Sequence, residues 1–436
     1  MSSIKSVPVI LLLCVVIVGG CTSIPTATEA APTQFKTPET QIVAETESAE
    51  EENMPSHPYV ILAPDDSGDF GPRTPGTKTA GWQEALDYCV SHHMDLYVKG
   101  GYGGQNAIFH IQDTIHFPPA QDFRVDGGIY VINWTGPGNK DLMVIDSCMN
   151  CELHFGILVY GGMGAAMRIK PEGPVPIDGF PVVVETEIHS QGMADPHPFT
   201  PGERMGGTGL VFDGTKAPIV HSTFLFFGVL NFQTVIETKG AFANNQFDVL
   251  HLHTNAHNST LLKLGEGSVA NSLRMAIGVD QGASGVTGIV LAGQNNTLEV
   301  MPRPSNEPFP KGRILIFDVR AEGNQVNFVA QEPSIVLEGI TDLSLNPTNQ
   351  ISWAGEPAPI YTVEAKDGSF TYTQRFYPAA VRVLGGSLTS LELVRDSTSV
   401  DYSTAPNPEI FMSVGDQLKI ESTEAPVLQI IPIKTK

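Results

Sequence analysis

From Thr208 to Gly339 apolar and polar positions alternate in short phrases that close on glycine or a polar turn. One phrase reads Thr208-Gly209-Leu210-Val211-Phe212-Asp213-Gly214. It returns as Thr234-Val235-Ile236-Glu237-Thr238-Lys239-Gly240, Thr260-Leu261-Leu262-Lys263-Leu264-Gly265 and Thr287-Gly288-Ile289-Val290-Leu291-Ala292-Gly293, with a weaker copy at Arg313-Ile314-Leu315-Ile316-Phe317-Asp318. Its threonines are 26, 26 and 27 residues apart. A second phrase runs out of phase with the first: Asn245-Gln246-Phe247-Asp248, Asn271-Ser272-Leu273-Arg274, Asn296-Thr297-Leu298-Glu299 and Asn324-Gln325-Val326-Asn327, spaced by 26, 25 and 28 residues. Alternation at period two over so few residues indicates strand. Two interleaved phrases with one spacing indicate a solenoid in which each repeat is a coil.

The expected fold is all-β, a right-handed parallel β-helix. Coils stacked about 4.8 Å apart would place Leu210, Ile236, Leu262, Ile289 and Leu315 in one buried ladder, and Phe247, Leu273, Leu298 and Val326 in another. The recurring Asn would stack at a corner. Each side-chain amide would bond the next coil and the local backbone, in a left-handed turn that Asn tolerates.

Outside this stretch the pattern changes. Residues 79–94 read as a helix, with Trp82, Ala85, Leu86, Cys89 and Val90 on one face. Strand candidates follow at Met143–Ile145, Leu153–Phe155, Ile157–Val159 and Val182–Val184. Gln191–Gly207 and the Pro-rich Met301–Gly312 read as insertions, of the kind that can wall a groove or simply decorate the surface. From about Ile351 the 26-residue beat is lost, and short alternating runs up to Val427–Ile431 read as an antiparallel β module over the C-terminal end of the solenoid.

The first residues carry an address. Lys5 precedes an apolar core, Val7 to Val18, too short to span a bilayer comfortably. The segment ends in Val18-Gly19-Gly20-Cys21, which resembles a bacterial lipobox; lipidation of Cys21 would anchor the chain to a membrane without a transmembrane helix. Residues 22–56 are rich in Thr, Pro, Ala and Glu and cannot bury enough apolar surface to fold. The domain reading is therefore 1–21 signal peptide, 22–56 spacer, 57–350 β-helix and 351–436 C-terminal β module, on a protein of the bacterial cell envelope.

Charge and cysteine narrow the function. The net charge of −22 opposes nucleic acid binding, which needs a basic footprint. It also disfavours polyanionic glycans unless a cation such as Ca²⁺ mediates; no cofactor is otherwise indicated. Cys148-Met149-Asn150-Cys151 has redox-type spacing without a thioredoxin-like helix start, and reads as a local disulfide or two buried thiols.

The N-terminal part carries a family resemblance. The acidic loop Asp65-Asp66-Ser67-Gly68-Asp69-Phe70-Gly71 leads into a helix containing Ala80, Gln83 and Ala85. The strand–glycine run Asp95–Gly101 and the phrase Thr114-Ile115-His116-Phe117-Pro118-Pro119 come next. Together these resemble the N-terminal cap of the pectate-lyase-like superfamily, which includes pectin-degrading lyases, polygalacturonases and phage tailspike proteins. Pro72-Arg73-Thr74-Pro75-Gly76 stands where that superfamily commonly has Asp-Asp-Thr. The resemblance implies a helix plugging the open end of the β-helix, and a polysaccharide as ligand or substrate.

Candidate chemistry lies on the second phrase. With Phe247, Leu273, Leu298 and Val326 inward, Asp248, Arg274, Glu299 and Asn327 form an outward column. Carboxylate, guanidinium and carboxylate on successive coils suit a lyase, which needs a base and a cation, or a hydrolase, which needs two carboxylates. They are equally ordinary in-register neighbours, as are Glu237 and Lys263. If Leu250 and Leu252 face inward, His251 and His253 face outward together. With Asp280 they could hold zinc, but they read more simply as groove histidines without metal. The catalytic candidates are thus Asp248, Arg274, Glu299 and His253, with His251, Asn327 and Arg303 contacting substrate. Arg168-Ile169-Lys170 echoes polygalacturonases without the accompanying aspartate pairs and is read as coincidence. Two functions stay open: a polysaccharide lyase or glycoside hydrolase, and a non-catalytic glycan-binding or adhesive surface protein. Oligomeric state is not legible.

Overall fold

The computed structural model describes residues 58–101, 107–176, 179–196, 206–280, 283–302, 309–310, 312–329, 340–344, 346, 348–353, 360–374, 378–395, 398–403, 408–413 and 415–433. Cys21 and the expected lipobox, residues 22–56 read as a spacer, and Arg303 lie outside the described residues, as do parts of both expected insertions.

The body is a parallel β-solenoid. One sheet runs through strands Tyr59–Leu62, Asp95–Val98, Arg124–Gly127, Glu152–Val159, Glu187–Ala194, Thr223–Phe226, Gln246–Thr254, Ser272–Val279, Thr297–Pro302, Gln325–Phe328 and Gln350–Trp353. A second runs from Ile115–Phe117 through Thr208–Val220, Thr234–Ala243, Thr260–Leu264 and Thr287–Leu291 to Ile340–Asp342. Both expected ladders are present. Leu210, Ile236, Leu262, Ile289 and Leu315 are in register and fully buried. Phe247, Leu273, Leu298 and Val326 form the other, continued by Phe224 on one side and Ile351 on the other. One apolar stack per sheet leaves the solenoid interior without polar strand side chains along these columns, the arrangement that area burial favours.

The asparagine corner is longer than the repeat suggested. Asn245, Asn271, Asn296, Asn324 and Asn349 are all buried. Each of the first four donates a side-chain N–H to the next Asn Oδ1, at 3.1, 2.9, 3.0 and 3.0 Å, and a backbone N–H to the same oxygen at 3.0–3.1 Å. The second side-chain N–H goes to a backbone carbonyl of the preceding coil. Ser222 and Thr186 carry the ladder further toward the N-terminus. The left-handed residue is not the ladder Asn, as expected, but the one before it: Asp122, Asn150, Glu185, His221, Asn244, Ala270, Asn295 and Gly323 all have φ between 48° and 64°. The turn itself therefore falls one residue before the side chain that bonds across coils.

The helix spans Trp82–His92, shorter than the sequence suggested, and buries Trp82, Ala85, Leu86 and Cys89. Trp82 packs edge-on to Phe109, with ring centroids 5.7 Å apart, and against Tyr130 and Phe155. The helix thereby closes the aromatic core of the first coils. Gln191–Ala194, expected within an insertion, instead extends strand Glu187–Ala194, with Gly192 and Met193 paired to Ile157 and Leu158. Cys89, Cys148 and Cys151 are buried free thiols, so the Cys-x-x-Cys pair is not a disulfide. Burial pushes Cys89 up to about 12.

From Tyr361 onward the pairing is antiparallel. Two four-stranded sheets enclose a separate core that includes Val381, Leu391, Ile410, Leu418 and Ile430. Asp416, nearly fully buried, accepts Arg395 Nη2 at 2.6 Å. Among the described residues no helix is long and apolar enough to cross a membrane.

Replacing Asn296 by Ala removes an acceptor from Asn271 and leaves buried donors unpaired. The expected loss is about 1–3 kcal/mol in chemical denaturation. Asn327→Ala, one strand position beyond the inward ladder and outside the asparagine corner, should change stability by less than about 0.5 kcal/mol.

Candidate functional site

On the first sheet every second side chain leaves the core, and the outward ones line up coil over coil. Tyr97 pairs with Asp126, whose carboxylate lies 3.7 Å from His154 Nδ1. His154 is in register with His189, His189 with Leu225, and Leu225 with Asp248. Arg274, Glu299 and Asn327 follow in order. The expected members Asp248, Arg274, Glu299 and Asn327 therefore do stand in one line. Arg274 Nη2 donates to Asp248 Oδ2 at 3.3 Å, and Asn327 Oδ1 accepts from Ser352 Oγ at 3.1 Å.

His251 and His253 are not part of that line. The expectation that Leu250 faces inward fails: Leu250 is exposed, while Val249 and Leu252 are buried. Register with the next coil shifts between Val249 and Leu252, and the bulge turns Leu250 out. His253 is paired with Leu230 and Gly278, further along the strand than Asp248. Its Nδ1 lies 3.4 Å from Asp280 Oδ1, the expected partner, and its ring centroid is 5.8 Å from that of His251. Among the described residues, though, only His154, Glu187 and His189 bring three ligand-type atoms within 4.8 Å of one another.

That cluster was missed by the repeat. Glu187 occupies the outward position two residues before His189, so the two side chains are neighbours on one face. His189 Nε2 lies 2.7 Å from Glu187 Oε1, and His154 Nε2 lies 4.0 Å from the same oxygen. The two imidazoles stack with centroids 4.7 Å apart and planes 8° from parallel, a separation that matches the spacing of adjacent strands. Burial holds His189 below the ordinary imidazole value; Glu187 pulls it upward, and charge on His154 pushes it down again.

Beside the cluster the surface sinks into a concavity of about 560 Å³. Its polar wall is Asp126, His154, His189, Ser190 and Gln191, with Glu187 beside it. Its apolar lining comes from Ile129, Ile157, Leu225, Phe227 and Leu250, and Phe227 is 60% exposed. The bulge that displaces Leu250 thus helps make this lining. Exposed apolar side chains gathered beside a few convergent polar groups are the usual makeup of a ligand site.

The second sheet carries a different arrangement. Arg168 Nε and Nη2 donate to the two oxygens of Asp141 at 2.7 and 3.2 Å, and Asp141 Oδ1 also accepts the Ala165 N–H at 2.6 Å. Arg168 fastens adjacent coils, which accounts for it without catalysis. Glu237 is similarly held between Lys239 and Lys263, each at 3.0 Å.

No family model matches this chain, and no curated protein matches it. Among solved structures it is similar to the Dettilon tailspike protein gp208, with 10% identity and a TM-score of 0.37 over 86% of this chain and 94% of that one. It is also similar to tailspike protein gp49 of Acinetobacter baumannii bacteriophage Fri1, a capsular polysaccharide depolymerase, with 11% identity and a TM-score of 0.29 over 85% and 83% of the two chains. The chemistry of this chain rests on its own side chains.

The two ion pairs should separate on mutation. Arg274 is 61% exposed, so Arg274→Ala should cost less than about 1 kcal/mol. Asp141→Ala, which leaves Arg168 only the longer 3.8 Å contact with Asp213 and strands the Ala165 N–H, should cost about 1–3 kcal/mol. Paired denaturation curves measure both.

Proposed function

We propose that the outward face of the first sheet binds a polysaccharide and cleaves it, as a lyase or glycoside hydrolase, at the His154–Glu187–His189 cluster. On this reading the chain is a carbohydrate-active relative of the pectate-lyase-like superfamily. The observation that carries the proposal is the concavity: an apolar lining that suits the C–H faces of sugar rings, directly beside two imidazoles and a carboxylate. Such groups accept a proton from a sugar carbon or from water, by themselves or through a bound cation. The column Asp248, Arg274, Glu299 and Asn327 continues along the solenoid axis, where a linear polymer would meet one coil after another. These residues are then substrate-positioning groups, away from the reacting bond.

The test is a panel of polysaccharides, read by new reducing ends and by unsaturated uronate absorbance. Glu187→Gln and His189→Asn should each lower kcat about 10²–10⁴-fold. Asp248→Asn and Glu299→Gln should raise KM and leave kcat nearly unchanged. Binding without turnover in the wild-type protein would replace this reading with that of a non-catalytic glycan binder. Turnover that survives both cluster variants would move the reaction centre elsewhere.

Tethering at the bacterial envelope through Cys21 belongs to the same proposal, supported by Val18-Gly19-Gly20-Cys21 and the acidic spacer behind it. Cys21→Ser should shift the protein from the membrane fraction to the soluble fraction; retention in the membrane fraction would count against a lipid anchor.

A further inference from the structure

We infer that His154, Glu187 and His189 form a binding site for a first-row divalent metal ion of the zinc type. The catalytic meaning of such an ion rests on the proposed reaction centre, whereas its binding does not.

The donor set is two imidazoles and one carboxylate. Three such protein ligands with a further position open is the pattern of catalytic zinc sites. Ca²⁺ and Mg²⁺ take oxygen ligands, so nitrogen donors select against them. The geometry is close to what an ion requires. Tetrahedral bonds of about 2.0–2.1 Å put neighbouring donor atoms roughly 3.4 Å apart. Glu187 Oε1 lies 2.7 Å from His189 Nε2 and 4.0 Å from His154 Nε2, on either side of that value. Small side-chain rotations would bring the three atoms around a common centre. Adjacent coils already hold the two imidazoles 4.7 Å apart, but stacked; the rings must tilt so that both in-plane lone pairs converge on the ion.

A separate observation concerns the far side of His154. Its Nδ1 faces Asp126 Oδ1 at 3.7 Å, a charge contact that becomes a hydrogen bond only if the ring moves closer; that oxygen already accepts the Gly127 N–H. A carboxylate behind a ligating histidine holds the proton on that nitrogen, fixes the ring and leaves the other nitrogen free to bind metal. That other nitrogen, Nε2, is buried and has no hydrogen-bond partner among the described residues. A buried ring nitrogen left unsatisfied is costly, and a metal ion is the partner its surroundings are built for. The concavity then supplies access to the open coordination position.

The experiment uses full-length protein stripped with a chelator. It is titrated calorimetrically with ZnCl₂, and in parallel with CoCl₂ followed by visible absorption. The expected result is one ion per chain at this site, with the cobalt bands of a low-coordinate nitrogen–oxygen site, and no displacement by CaCl₂. His154→Gln and His189→Gln should each weaken zinc binding more than about tenfold, and Asp126→Asn by about 10–100-fold. His251→Ala should leave it unchanged, because that ring lies outside the cluster. Circular dichroism confirms that each variant is folded. A folded wild-type protein that takes up no zinc overturns the inference. So does zinc uptake that survives the His154 and His189 variants at full affinity. Zinc uptake with no glycan turned over would leave the metal site standing and remove the proposed activity. Turnover undiminished in chelator, with no zinc uptake, would do the reverse.

Discussion

The later coils of the solenoid depend on one buried amide each. An asparagine side chain taken out of water loses solvation at both donors and its acceptor, and costs free energy unless all are satisfied. In the run from Asn245 to Asn349 the coils above and below supply the partners, joined at Asn349 by Ser344 Oγ of the same coil. Each Oδ1 from Asn271 to Asn349 receives two N–H groups from the coil before it and Asn245 Oδ1 receives one, and each Nδ2 returns one bond to a backbone carbonyl there. A coil slipped by one residue would break several of these bonds together and turn its apolar side chains outward. The corner therefore sets the register, and hydrophobic burial follows it.

That corner also indexes the functional face. Counting from each corner residue, the first and third positions point outward and the second points inward. Cys151 gives Glu152 and His154, Thr186 gives Glu187 and His189, and Asn245 gives Gln246 and Asp248. Chemistry on this face is thus a matter of which side chain occupies position one or three on successive coils. The cluster arises where two consecutive coils place His at the third position and the later one places Glu at the first.

The sequence made the later coils legible because their corners are spelled alike. From Asn245 to Asn349 the residue type repeats and the spacing stays within 25–28 residues. The same eye passes over the earlier corners, which are Phe123, Cys151, Thr186 and Ser222, and whose spacing includes steps of 36 and 23. The Asp248 column was therefore foreseen, while His154 and the pair Glu187 and His189, on either side of the 35-residue step from Cys151 to Thr186, were not. A usable signal was present in Leu153-His154-Phe155 and Glu187-Ile188-His189, where an apolar residue precedes or separates polar ones at strand period. Leu250 escaped for a different reason. A bulge has no consistent sequence mark, and simple alternation assigns the wrong side to every residue within it.

The uneven coil lengths carry a consequence of their own. Thr186 and Ser222 are joined by 36 residues and Ser222 and Asn245 by 23, yet both steps meet at the same hydrogen-bonded position. Chain added between corners is absorbed locally as a longer excursion, and every rung above and below keeps its place. A scaffold of this kind separates frame from ornament. Material can be spliced into one storey to reshape the wall beside a site without disturbing the masonry that carries it.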